Sequence, residues 1–320
     1  MLKEAIIDSL DLNLVEKGTI KYFWLDLITD PLGNPVLVPI MIARGKKEGP
    51  TLGLTAAVHG NELNGIPVIQ RLFREIDIKH LGGTIVGVPV VNIPSFIRKK
   101  RRFNDGVDLN HIFPGMPNGN VSQVYAYRLV QRIIQHFDIL IDLHTASFGR
   151  INSYYIRADM KQEKTAALAR LQNAQIIVNN SPSDGTLRGA ADEMNIPAIT
   201  LEVGNPNMYQ KSMIRSGMVG IHNVLSYLDM TDDEIIESDH DTIECGDSYW
   251  IYTNNGGLLQ VHVNLLESVK KDQKIATIRD VFGRTVEEYF APESGIVVGK
   301  SISPVNQTGG RILHLGLPKK

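Results

Sequence analysis

The 320-residue sequence holds a single cysteine, Cys245, so no intrachain disulfide framework can be built from it, and a lone thiol in the late segment "DTIECGDS" reads as structural rather than nucleophilic. No run approaches the roughly 20 apolar residues needed to span a bilayer. The opening "MLKEAIIDSLDLNLVEKG" mixes charges among its apolar residues where a signal peptide would carry a continuous apolar stretch. Neither sign of charge dominates: 33 Lys and Arg against 35 Asp and Glu give a formal net charge of −2, so no overall field favours nucleic acid or an anionic membrane. Internal repeats and long low-complexity tracts are absent as well. The expectation is a soluble, cytoplasmic protein with no nucleic-acid and no membrane partner; a homo-oligomer is left open.

What is present alternates. "TIKYFWLDLI" and "PVLVPIMIARG", separated by the turn-forming "TDPLGN", read as an antiparallel strand pair. "TLGLTAAVHG" then reads as a buried strand, "GIPVIQRLFREI" as an amphipathic helix and "GTIVGVPVVNI" as another continuous apolar strand. The helix "SQVYAYRLVQRIIQHF", with Ser122 as its candidate cap, the strand "DILIDLHT", the helix "KQEKTAALARLQNA" and the strands "QIIVNN" and "AITLEVG" continue the pattern. This predicts an α/β fold, a mixed, largely parallel sheet flanked by helices, with ligands gathered beyond the carboxyl ends of its strands. Past the acidic "LDMTDDEIIESDHD" only short strand-like runs recur, which predicts an α/β domain over residues 1–235 and a smaller all-β domain over residues 236–320.

The chemistry-bearing residues stand at strand ends. His59 and Glu62 follow "LTAAV", and His144 ends "ILIDLH". Two histidines and a carboxylate give zinc three ligands and leave a fourth position for water; the alternative is a set of polar residues satisfied in turns. Asp142, two residues before His144, either supports a ligand or bonds a nearby loop. Glu202, at the end of the apolar "PAITLEVG", is a candidate base and proton shuttle, against a buried salt bridge to Arg188 in "GTLRGA". The basic run 98–102 in "RKKRRFNDGVDLNHIFPG" has no aromatic interleaving suited to nucleic acid; it reads as a solvated loop or as a cationic loop for a substrate carboxylate. Arg150 and Asn152 in "ASFGRINSYY" stand either in the site lining or in a structural turn.

Taken in order, "HGNE", "RRFNDGVDLNHIFPG", "DLHTASFGR" and "ITLEVG", spread over roughly residues 50–210, resemble the succinylglutamate desuccinylase and aspartoacylase family, related to the zinc carboxypeptidases. The resemblance implies that His59, Glu62 and His144 bind one zinc ion and that Glu202 is the catalytic base. It further implies that Arg101 or Arg102, with Arg101 the more family-like in spacing, and Asn110 hold the substrate, with Arg188 assisting. The segment "YFAPESGIVVGKSISPVNQTGG" is similar to the family's β-rich C-terminal domain. One position departs: where the family commonly has Asp-Leu-Asn-Arg this chain reads "DLNH", with His111, and a histidine side chain offers fewer donors than arginine and as a residue type changes charge near neutral pH. The implied activity is zinc-dependent removal of an acyl group from a small N-acyl amino acid or related amide. The alternatives are a metallocarboxypeptidase acting on peptides and a non-catalytic protein that binds a small acid.

Overall fold

The computed structural model describes residues 4–182 and 185–319. Among them a mixed sheet of 14 strands runs through the whole molecule, and a second, four-stranded sheet lies in the C-terminal third. The opening pair is antiparallel: Thr19–Thr29 against Pro35–Arg44. Its turn closes on Asp30, whose Oδ1 accepts from the backbone N–H groups of Leu32 and Asn34, each at 2.8 Å, while Gly33 takes the left-handed φ of +82° that a side chain would disfavour.

The centre of the sheet is parallel. Lys47–Ala56 lies between Gly82–Val88 and Ile139–His144, and Ile139–His144 in turn pairs with Ala198–Val203. The buried stretches of these strands are mostly apolar because both their faces are covered, with Asp142, His144 and Glu202 among the polar exceptions toward their carboxyl ends. On one face Ile139, Ile141 and Leu143 join Leu52, Leu54, Ile199 and Leu201 in a core closed by the helices Gly65–Glu75 and Lys211–Tyr227. On the other, Leu140 and Ala198 pack with Tyr125, Leu129 and Leu187 from the helices Val121–Arg132 and Leu187–Glu193. The helix at 121–132 is capped by Asn120, not by Ser122: the Asn120 side chain accepts from Gln123 N–H and Gln123 reaches back to the Asn120 N–H, a reciprocal capping box. Ser122 itself donates its hydroxyl to Asn120 Oδ1.

After residue 236 the described chain is all β, but it does not stand apart from the first sheet. Ile243–Tyr252 pairs in parallel with Ile176–Asn179 and in antiparallel with Arg311–Pro318, so the large sheet continues into the C-terminal third. The small sheet, built from Thr285–Phe290, Lys274–Arg279, Gly257–Val261 and Val305–Asn306, shares a core of its own with the strand at 311–318 through Leu259, Ile275, Ile278 and Leu313. No described helix is long and apolar enough to cross a membrane.

Candidate active site

The period of two along a strand sets out the site. Leu140, Asp142 and His144 share one face of their strand, and in the neighbouring parallel strand Ala198, Thr200 and Glu202 lie in register beside them, with Glu202 opposite His144. The adjacent strand ends at Ala56, after which Ala57 turns the chain with a φ of +53°. The loop that follows is pinned from behind. Asn92 donates its backbone N–H to the Ala57 carbonyl at 3.1 Å and its side-chain Nδ2 to the Val58 carbonyl at 2.9 Å. Gly60 sits so close to the 92–97 turn that a Cβ there would fall 2.1 Å from the Ser95 carbonyl carbon, so only glycine lets the loop hold His59 and Glu62 against the sheet.

His59, Glu62 and His144 are all buried, and one ligand atom from each lies within 4.8 Å of the other two. His59 Nδ1 is 2.9 Å from Glu62 Oε1 and His144 Nδ1 is 3.0 Å from Glu62 Oε2. Each imidazole is held from its far side by a carboxylate: His59 Nε2 by Asp108 Oδ1 at 2.9 Å and His144 Nε2 by Asp142 Oδ2 at 2.7 Å. Asp142 is fixed in turn by the Thr55 hydroxyl at 2.7 Å, which resolves its two sequence readings in favour of supporting His144. With Nε2–H given to a carboxylate, each ring would turn its Nδ1 toward a metal held in the cluster, the arrangement by which metal-binding histidines are oriented.

The charges of the cluster act strongly on one another. Burial alone would raise the Glu62 carboxyl, but the two histidines against its oxygens hold it well below the usual carboxylate range. Asp108 is likewise held down, against its own burial, by His59 and Arg101. His144 is pushed well above its ordinary value because Asp142 and Glu62 outweigh the desolvation that would lower it. Three carboxylates, Glu62, Asp108 and Asp142, converge on two imidazoles and the single guanidinium of Arg101. With neutral imidazoles that leaves an excess of negative charge inside the protein, which a divalent cation would neutralise. A His, Glu, His donor set with nitrogen and oxygen ligands suits zinc.

This cluster forms one end of a cavity of about 370 Å³. Arg101 turns inward: Nε donates to Asp108 Oδ2 at 2.8 Å and Nη1 to Glu62 Oε1 at 3.0 Å. Arg102 turns outward. Its guanidinium donates to the Gly106 carbonyl, and its own carbonyl is taken by Ser95 and Arg98, so the backbone of this turn directs the two neighbouring side chains to opposite sides. Asn110 lines the cavity with its Oδ1 committed to the Leu187 N–H at 2.8 Å, which leaves Nδ2 for the cavity. His111 stands on the rim, its side chain 70% exposed and its Nε2 3.8 Å from Asp108. Arg188 reaches the wall of the cavity but is buried, donating to the Asn180 carbonyl and side chain and to the Ser181 carbonyl. Glu202 also lines the cavity; Asn152 Nδ2 donates to its Oε2 at 3.0 Å, and Arg157 Nε lies 3.7 Å from its Oε1.

Sequence reasoning did not single out Asp108, Arg157 or the contribution of the C-terminal strands. Trp250, Arg311 and His314 all line the same cavity, delivered by the antiparallel pair in which Trp250 lies opposite His314. A carboxylate two residues before Asn110 was a signal available for Asp108. Nothing in the sequence pattern announces the other residues, since only the pairing of distant strands brings them here.

Similarity to known proteins accords with this geometry. The sequence matches the succinylglutamate desuccinylase/aspartoacylase catalytic domain over residues 48–228. It is 25% identical over 278 residues to the N-alpha-acetyl-L-2,4-diaminobutyric acid deacetylase of Halomonas elongata, spanning 83% of this chain and 81% of that protein. It is 29% identical over 173 residues to the succinylglutamate desuccinylase of Pseudomonas paraeruginosa, where the match spans 50% of this chain and 52% of the relative. In three dimensions it superposes on the product-bound ectoine utilization protein EutE (DoeB) of Ruegeria pomeroyi with a TM-score of 0.84 at 22% identity, covering 93% of this chain and 95% of that one. A succinylglutamate desuccinylase/aspartoacylase from Rhodobacter sphaeroides gives the same TM-score of 0.84 at 22% identity, over 94% and 96% of the two chains. These two likenesses carry the fold, and the match over 48–228 carries the family: the chain belongs to the succinylglutamate desuccinylase/aspartoacylase family.

Proposed function

We propose that this protein is a zinc-dependent amidohydrolase that removes the acyl group from a small N-acyl amino acid, with His59, Glu62 and His144 as the metal ligands and Glu202 as the base. The observation that carries the reading is the convergence of one ligand atom from each of the three side chains within 4.8 Å, each imidazole backed by its own carboxylate. The deacetylase and desuccinylase relatives support the choice of an acylated amino acid over a peptide.

When bound, zinc supplies a Lewis acid that polarises the amide carbonyl and acidifies water. The chain's own groups do the rest. Glu202 takes a proton from the attacking water as its oxygen bonds to the carbonyl carbon, and delivers that proton to the nitrogen as the C–N bond breaks, giving a carboxylate and a free amine. Asn152 holds one carboxylate oxygen of Glu202, which fixes the orientation of the other. Arg101 is anchored through Nε and Nη1 and has Nη2 left to donate, and Asn110 has Nδ2; both are suited to a substrate oxygen on which charge develops. Residues 1–235 supply the chemistry on this reading, and residues 236–320 form the outer wall of the cavity.

Glu202→Gln tests the division of labour, because the amide keeps the shape and the hydrogen-bonding partner but cannot accept the proton. We expect metal content measured by atomic absorption to be unchanged and turnover to fall by about 10²- to 10⁴-fold. Turnover within a few-fold of the unaltered protein would remove Glu202 from the mechanism.

A further inference from the structure

A second cavity, of about 330 Å³, lies beside the one that holds the metal cluster, walled by Phe148 and by Ser301, Ser303, Val305 and Gln307. The two cavities share a wall. Arg150 and Arg311 line both, whereas Phe148 lines the second and not the first. This wall is built of rings and guanidinium groups in alternation. Arg101 and Arg150 lie over the ring of Phe148, with Cζ 5.5 and 5.7 Å from its centroid, and Arg150 and Arg311 lie over Trp250, at 5.2 and 5.1 Å. Attraction to a ring face holds a guanidinium without tying it to one directional bond, so such a wall depends on where its rings stand. The ring of Trp250 is backed by buried His314, stacked on it with centroids 5.2 Å apart. Phe148, at the other end, is 58% exposed.

The chain that carries Phe148 is fixed on either side of it. Asn61 Nδ2 donates to Ser147 Oγ at 3.1 Å, and the Gly149 carbonyl accepts from the Ile302 N–H at 2.8 Å. Arg150 then opens a short strand, Arg150–Asn152, that pairs with Gly295–Ser301, and its Nε donates to the Ser147 carbonyl at 2.6 Å. Between these points Phe148 and Gly149 take left-handed φ values of +54° and +66°. Glycine adopts that conformation freely, but for a bulky residue with no core to fill it is strained, and strain kept beside a functional cavity points to a part played by the side chain.

We propose that Phe148 is the movable edge of a septum between the metal-bearing cavity and its neighbour, and that by closing this septum it limits the length of substrate the site accepts. Each cavity alone stands near the lower end of the range of about 300–1,000 Å³ that holds small ligands. With the ring swung aside and Arg150 released, the two become one chamber with room for a longer chain. The consequence for substrates rests on the amidohydrolase reading above and narrows it to short substrates; the septum itself does not depend on that reading.

The test removes the ring in Phe148→Ala and Phe148→Gly. Glycine also relieves the left-handed backbone, so it keeps the test decisive if the alanine variant folds poorly. Turnover by the zinc-loaded protein is measured on two series of N-acyl amino acids, one lengthened at the acyl end from acetyl to octanoyl and one lengthened at the amine end to a dipeptide and a tripeptide. We expect the ratio of kcat/KM for the longest member to that for the shortest to rise about tenfold or more in at least one series, and to stay low in Phe148→Trp. Trp250 supplies a readout free of substrate. The chain has two tryptophans, so in a Trp24→Phe background the emission is that of Trp250 alone. We expect acrylamide to quench it about twofold more strongly once the Phe148 ring no longer holds Arg150 over it. Unchanged length ratios in both series, or unchanged quenching, overturn the septum. Stronger quenching in a protein that turns over no N-acyl amino acid sinks the amidohydrolase reading and leaves the septum standing, so the two failures are distinguishable.

Discussion

Asp142→Asn isolates the role of the carboxylate behind His144. The side chain is 1% exposed and both its oxygens are engaged, Oδ2 with His144 Nε2 at 2.7 Å and Oδ1 with the Thr55 hydroxyl at 2.7 Å. Asparagine preserves the volume and can keep its oxygen on Nε2–H, turning Nδ2 toward Thr55, whose hydroxyl then accepts. The charge that orients and enriches the imidazole is lost, and one amide N–H is left in a buried place without a partner. Loss of such a supporting group lowers metal affinity by about 10- to 100-fold, or about 1.4–2.7 kcal/mol. The unpaired N–H lowers the stability of the metal-free protein by about 1–3 kcal/mol. Competition with a chelator of known zinc affinity gives the first quantity and urea unfolding of the metal-free protein gives the second. A folded Asp142→Asn variant that binds zinc as tightly as the unaltered protein would refute the reasoning.

Other changes test neighbouring links. Gly60→Ala forces the loop off the Ser95 backbone, so the variant should lose about 1–3 kcal/mol of stability and retain markedly less zinc, read by a thermal melt and metal analysis. Cys245 is fully buried and its thiol is pushed up to about 11, so it stays protonated at pH 8; a thiol reagent should react slowly with native protein and promptly in guanidinium. Fast native labelling would contradict that packing. His111→Arg adds a permanent charge at the rim, 3.8 Å from Asp108 at present; zinc content should be unchanged while the ranking of acidic substrates and the pH dependence of KM shift. Unchanged ranking and pH profile would leave His111 without a part in selection.

Much of the fold was legible where apolar runs and turn residues were clean. The antiparallel opening, the alternation through residues 51–88 and the strands bearing His144 and Glu202 form as the pattern indicates. The helix at 211–227 was less legible: its first two turns, "KSMIRSG", mix polar residues and glycine into the apolar stripe. The short helix at 187–193 has too few turns to establish a period. The all-β character of the C-terminal third was readable from its spacing. Its fusion to the large sheet was not, because the edge offered by the strand at 176–179 is a matter of backbone hydrogen bonds rather than side-chain pattern. The same reason hid Trp250, Arg311 and His314. By contrast His144 and Glu202 lie at the ends of the apolar strands in which the sequence put them, with Asp142 two residues before His144, and which of Arg101 and Arg102 faces inward depended on a single turn at the end of the 93–97 helix.

The central claim is tested most directly by primary-amine release from a panel of N-acetyl, N-succinyl and other N-acyl amino acids, run beside short peptides. The protein is used zinc-loaded, after chelation, and after zinc is restored. Release from one class of small N-acyl amino acid that stops on chelation and returns with zinc is the predicted result. Release confined to peptides, or release that persists at full rate without metal, would contradict it.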